Sequence, residues 1–160
     1  MLANPNLKGV GSDPANWRPS TRMGGSPGAD DPSVTVPAVF INEILTHTDP
    51  PVKDAIELYN PNPAAANIGH WFLTDSRSTP ERFAIPAGTM IPARGYLVFT
   101  EDQFNRTPGV DPSFNLNSHG EEVYLYSADA ARNLTGYSDG FSFGAWVNGV
   151  SFGRYTNSVG

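Results

Sequence analysis

The sequence predicts an all-β fold, a two-sheet antiparallel sandwich, and three observations carry that prediction. Short apolar runs rich in β-branched and aromatic residues recur from residue 39 onward. Turn-forming residues separate them, with 16 Gly and 15 Pro in 160 residues, which is how an all-β chain reads. No segment keeps a 3.6-residue apolar period over ten or more positions. Seven to nine short strands over about 120 residues is the pattern of a sandwich.

The elements follow in order. Residues 1–37 carry Pro5, Pro14, Pro19, Pro27, Pro32 and Pro37 with Gly9, Gly11, Gly24, Gly25 and Gly28 between them. They hold no apolar period, so they read as a linker or irregular lead-in. Trp17 is the exception there, an indole expected to dock on the following domain or on a neighbouring module. The sandwich domain is expected over residues 38–160. Val39-Phe40-Ile41-Asn42-Glu43-Ile44-Leu45 is the first strand, ended by Asp49-Pro50-Pro51. Ala55-Ile56-Glu57-Leu58-Tyr59 alternates and is closed by Asn60-Pro61-Asn62-Pro63. His70-Trp71-Phe72-Leu73-Thr74, Arg82-Phe83-Ala84-Ile85 and Tyr96-Leu97-Val98-Phe99-Thr100 follow. After a polar stretch over residues 101–120 comes Glu122-Val123-Tyr124-Leu125-Tyr126, with Val123 and Leu125 facing inward. Two last runs surround Gly140 and Gly144. Trp146-Val147 and Val150-Ser151 flank Asn148-Gly149, a pair suited to a type I′ hairpin turn.

Composition excludes several functions. A formal net charge of −6 offers no broad positive field for phosphates, so nucleic acid is disfavoured as a ligand. The absence of cysteine removes disulfides, thiolate catalysis and cysteine–zinc sites. No apolar run approaches the roughly 20 residues of a membrane span, and the N-terminus lacks the succession of a signal peptide. Met1 reads as the start of an excised segment, so composition leaves localisation open.

The candidate chemical sites each have a plainer reading. Gly24-Gly25-Ser26-Pro27-Gly28 matches G-x-S-x-G. That motif needs the amide after the serine as an oxyanion donor, and Pro27 has no N–H. His47, His70 and His119 show no metal-ligand spacing; His47 and His119 read as loop residues and His70 as an outward residue at a strand start. Asn105-Arg106-Thr107 and Asn133-Leu134-Thr135 fit a glycosylation sequon that arises often by chance. There is no calcium-loop series, P-loop or dinucleotide fingerprint. No catalytic residue, metal site or cofactor is expected.

Glu43 and Glu57 are the most interesting acidic pair, because each interrupts an apolar strand and consecutive strands are usually neighbours. Held close, they could share a proton, bind Ca²⁺ or act hydrolytically. The structural reading is that each pairs with arginine or faces solvent, with Arg154 the preferred partner and Arg82 the second. Trp71 is expected to lie buried between the sheets. The segment around Asn148 is the expected interaction surface, with Trp146, Asn148, Phe152 and Tyr155 as its residues. That surface requires Trp146 and a neighbouring aromatic to be exposed; otherwise alternation turns these rings into the core.

Six ordered pieces resemble the lamin tail domain, particularly its bacterial members. They are Ile41-Asn42-Glu43-Ile44, then Ile56-Glu57-Leu58-Tyr59-Asn60, then Ile68-Gly69-His70-Trp71-Phe72-Leu73. Phe83 through Gly95, His119-Gly120-Glu121-Glu122-Val123 and Ser151-Phe152-Gly153-Arg154 complete the series. The resemblance covers about three-quarters of the chain. It implies an immunoglobulin-like antiparallel β-sandwich without enzymatic activity of its own. It also implies a protein partner, or neighbouring modules of the same chain, in an extracellular or cell-surface setting. The acidic charge departs from the DNA-binding nuclear members. The expected function is a structural or protein-interaction module of a larger exported bacterial protein. The alternative is a carbohydrate- or surface-binding accessory module beside a catalytic domain, and the third reading is a hydrolase carried by Glu43 and Glu57.

Overall fold

A computed structural model describes residues 36–154, together with residue 25 and residues 27–29. Trp17, Ser26 and Tyr155 therefore lie outside the described residues.

The alternating runs become strands because one of their faces has somewhere apolar to go. Strand β1 (Phe40–Leu45) and β2 (Ala55–Tyr59) pair antiparallel, and β2 pairs in turn with β7 (Tyr96–Thr100). A two-residue β10 (Phe152–Gly153) joins the far side of β1, giving the order β10-β1-β2-β7. The opposing sheet has the order β5-β4-β8-β9. It is built from β4 (Phe72–Thr74), β5 (Phe83–Ala84), β8 (Gly120–Ala128) and β9 (Leu134–Gly144). A small ribbon of β3 (Ala66–Asn67) and β6 (Met90–Ile91) completes the strands. All pairings are antiparallel, and the fold is an immunoglobulin-like sandwich.

Ile41, Ile44, Ile56 and Leu58 from one sheet meet Leu73, Val123 and Leu125 from the other, all fully buried. Trp71 is buried just before β4, its ring centroid 5.8 Å from that of Tyr137. His70 takes φ 73°, which stops β4 from beginning there. The polar stretch after β7 contributes to the core as well. A one-turn helix α1 (Glu101–Phe104) delivers Phe104, which stacks on Phe114 at 4.8 Å. Gln103 accepts the Thr100 N–H at 2.9 Å and so caps this turn.

Two corrections follow from the topology. The runs around Gly140 and Gly144 form one eleven-residue strand, β9. Residues 145–151 are not a β-hairpin, because β9 lies in one sheet while β10 pairs with β1 in the other. They form a crossover between sheets, and their turn is not type I′. The Val150 N–H reaches the Val147 carbonyl at 3.2 Å, and Gly149 has φ 73° while Asn148 does not adopt positive φ. Positive φ at the second central position alone is the type II pattern.

Candidate functional site

The crossover is held by the loop that follows β1. His47 places Nδ1 3.0 Å from the Trp146 carbonyl and accepts the Gly149 N–H on its own carbonyl at 2.7 Å. The Asn148 amide donates to Asp49 at 2.6 Å. His47, read from sequence as an ordinary loop residue, thus anchors this segment. Trp146, Val147 and Val150 remain 49%, 65% and 45% exposed.

The aromatic neighbours take the second of the two expected dispositions and turn into the core. Phe143 is buried, and Phe141 and Phe152 pack against the core. Phe152 sits between Phe143 at 5.6 Å and Trp146 at 5.0 Å. No described aromatic beside Trp146 is exposed, so the apolar area comes from Val147 and Val150. Both valines lie in the segment expected from sequence as the surface, but its apolar area was expected from the aromatic rings; their place in an inter-sheet crossover depends on β10 pairing with β1.

Beneath the crossover lies a groove of about 300 Å³ on the outer face of the β10-β1-β2-β7 sheet. Glu43 and Glu57 stand on its floor as direct cross-strand partners, beside Leu45, Ala55 and Val98. Their pairing follows a register shift at Asn42. That bulge sends the Asn42 amide to Glu57, where it donates at 2.8 Å. The Ser151 hydroxyl donates to Glu43. Like charges directly opposite one another weaken a strand pair, and no lysine or arginine pairs with either carboxylate among the described residues.

The expected arginine partners are engaged elsewhere. Arg154 bonds Asp139 through one terminal nitrogen at 2.8 and 2.9 Å, and its Nε donates to the Ile41 carbonyl at 2.8 Å. Gly153 is the residue opposite Glu43. Side chains alternate along a strand, so Arg154 projects away from the glutamates and lies over the Phe40 ring at 4.9 Å. Arg82 lies 3.0 Å from Asp75 and 3.4 Å from Asp111. The Arg82–Asp75 contact is misaligned for a hydrogen bond, and burial outweighs it to push the Asp75 carboxyl up.

Two other concavities lie on the described surface. One of about 440 Å³ has Phe72, Phe83 and Phe104 among its lining residues and Arg82, Arg106 and Arg132 beside them. The other, about 380 Å³, is polar and contains Asp54, which accepts a hydrogen bond from Thr48 at 2.8 Å. Burial raises the Asp54 carboxyl, against that bond. Three residues after Ser118, which also lines this pocket, burial lifts Glu121 to about 7, although the Asn117 N–H donates to it. Among the described residues no three His, Asp or Glu side chains converge as metal ligands would. No described helix is long and apolar enough to cross a membrane.

No curated protein and no solved structure gives a significant match to the chain. A family model does, over residues 32–139, and its description is Lamin Tail Domain. The match runs from the approach to β1 as far as the Asp139 that ties β9 to it, so it takes in β1 to β8 and the first half of β9, while β10 and the crossover lie beyond it. On that span, more than half its length, this chain belongs to the lamin tail domain family, whose members are immunoglobulin-like structural modules.

Proposed function

We propose that this domain is a non-catalytic protein-interaction module of a larger, exported bacterial protein, and that its partner seats on the crossover and the groove beneath it. The observation that carries the reading is the exposure of Trp146, Val147 and Val150 next to two carboxylates that pair with no lysine or arginine among the described residues. Exposed apolar groups gathered in one place favour a partner site. The carboxylates select its chemistry: an apolar side chain on Trp146 with a lysine or arginine reaching Glu43 and Glu57. The test uses two synthetic peptides, one alternating Leu with Lys and one alternating Leu with Glu. The Lys peptide should bind and alter the tryptophan emission, an effect lost in Trp146→Ala and weakened by salt and by the double change Glu43→Gln, Glu57→Gln. Equal binding of both peptides, or binding indifferent to these changes, rejects the reading.

A carbohydrate-binding accessory role is the second reading. Tyr96 favours it, because it is 54% exposed and stacked on Tyr59 at 4.7 Å, an aromatic platform of the kind a sugar ring can use. A glycan array separates the two, since only this reading expects ligands that Tyr96→Ala abolishes.

A further inference from the structure

We propose that β7 is a self-pairing edge, through which two copies of this chain join antiparallel about a two-fold axis at Val98 to make one continuous eight-stranded sheet. The pairing uses the backbone edge of β7, whereas the groove uses the face on which the Val98 side chain lies beside Glu57.

The edges of the two sheets are not alike. Strands β10 and β5 are two residues long and offer little template. Strand β9 is tied to β1, with Tyr137 bonded to Val39 and Asp139 to Ile41. Strand β7 is different. Its sequence, Tyr96-Leu97-Val98-Phe99-Thr100, has no charge, proline or glycine, and it runs in unbroken register with β2 from Ala55↔Thr100 to Tyr59↔Tyr96. These are the devices that normally blunt an edge, and all are missing. Tyr96 and Val98 are about half exposed, and Leu97 is only partly buried although it faces the core.

The backbone directions define the register. The Gly95 carbonyl accepts the Asn60 N–H at 3.0 Å, and the Glu101 N–H donates to the Asp54 carbonyl at 2.8 Å, both on the β2 side. In a strand, alternate residues direct N–H and C=O to alternate sides. Residues 97 and 99 therefore bond β2, while Tyr96, Val98 and Thr100 point their backbone groups outward. The Thr100 N–H is already taken by Gln103 at 2.9 Å. The N–H groups of Tyr96 and Val98 meet no partner strand among the described residues. With the axis at Val98, each Val98 N–H meets the Val98 carbonyl of the second copy. Each Tyr96 N–H meets the Thr100 carbonyl of the second copy.

Charge placement argues for a second copy as the occupant. Arg94 and Asp102 lie four residues on either side of Val98, and both are exposed. The two-fold sets the turn that carries Arg94 in each copy beside the start of α1, with its Asp102, in the second copy. Arg94 has no ion pair among the described residues, and Asp102 has only an exposed contact with Lys53 at 3.1 Å. An unrelated strand would have to supply this complementarity, whereas the chain supplies it to itself.

Sedimentation or light scattering on the 160-residue chain should show mass rising with concentration toward twice 17.2 kDa. Val98→Pro removes the outward N–H at the axis, a change an edge strand tolerates, and should weaken association at least about tenfold. A fold-safe arm uses Arg94→Glu and Asp102→Arg, which lie outside the strand. Each alone should associate poorly, and their mixture should form a heterodimer with both pairs restored. A chain that stays monomeric at every concentration overturns the proposal, even if some other extended segment docks on β7. So does a dimer indifferent to Val98→Pro, or charge variants that associate equally with themselves and with each other.

Discussion

Trp71 is 4% exposed, close to the Tyr137 ring and among aliphatic side chains of both sheets. Removing a ring from such a place loses its burial and leaves a cavity that rigid strands cannot close. Trp71→Ala should therefore cost about 3–5 kcal/mol in urea unfolding, and a loss under about 1 kcal/mol would show that the site collapses or was never packed. The burial of this indole was legible from the sequence, since it opens the apolar run Trp71-Phe72-Leu73. The roles of Arg82 and Arg154 were not. Local reading sees a cation and an anion as candidates for one another, but the direction of Arg154 depends on Gly153 lying opposite Glu43. That pairing joins residues more than a hundred positions apart, and the two-residue period then turns Arg154 toward Asp139. Gly140 is a similar case. It lies across from Tyr124, whose ring covers the place a Cβ would take, and nothing local announces it.

Strand β9 closes the side of the sandwich by holding β1 through side chains, since the two strands belong to different sheets. Asp139 accepts the Ile41 N–H at 2.8 Å and binds Arg154, which in turn donates to the Ile41 carbonyl. Tyr137 does the same for Val39, donating to its carbonyl at 2.8 Å, and burial pushes its phenol up to about 12. Asp139→Ala would strand a backbone donor beside fully buried Ile41 and release Arg154. The expected cost is about 1–3 kcal/mol, with faster amide exchange at Ile41 as its local signature. Unchanged exchange there would mean that water replaces the carboxylate freely. The strands themselves were legible as elements, with β2 and β7 at the expected residues. The crossover was not, because Asn-Gly reads as a hairpin wherever apolar residues flank it. Whether the flanking segments pair with each other is decided by the rest of the sheets.

Across the whole molecule, burial and the nearby carboxylates Asp75 and Asp54 raise Glu121 to about 7. The folded state thus holds a proton that the unfolded chain releases near 4.5. Stability from this group is fully present below the unfolded value and is lost as pH rises through the folded one. Asp54 and Asp75 are raised as well and act in the same direction. The melting temperature should fall between mildly acidic and mildly alkaline pH. Glu121→Gln should flatten that slope and raise the melting temperature at the alkaline end. The difference between the two curves isolates Glu121 from the histidines. Parallel curves would show that Glu121 is not the proton acceptor.

The sequence by itself determined the class of fold, the order of the main strands, the burial of Val123 and Leu125, and the family likeness of the sandwich. These depend on local composition and on a two-residue period, which any stretch of a few residues displays. Tertiary structure alone decided which carboxylate meets which arginine, that residues 145–151 cross between sheets, and that β7 is left as an edge. It also decided that Glu43 and Glu57 share a groove, with no lysine or arginine paired to them among the described residues. Each of these follows from register between distant strands, where a shift of one residue reverses every side chain, and no local pattern carries that information.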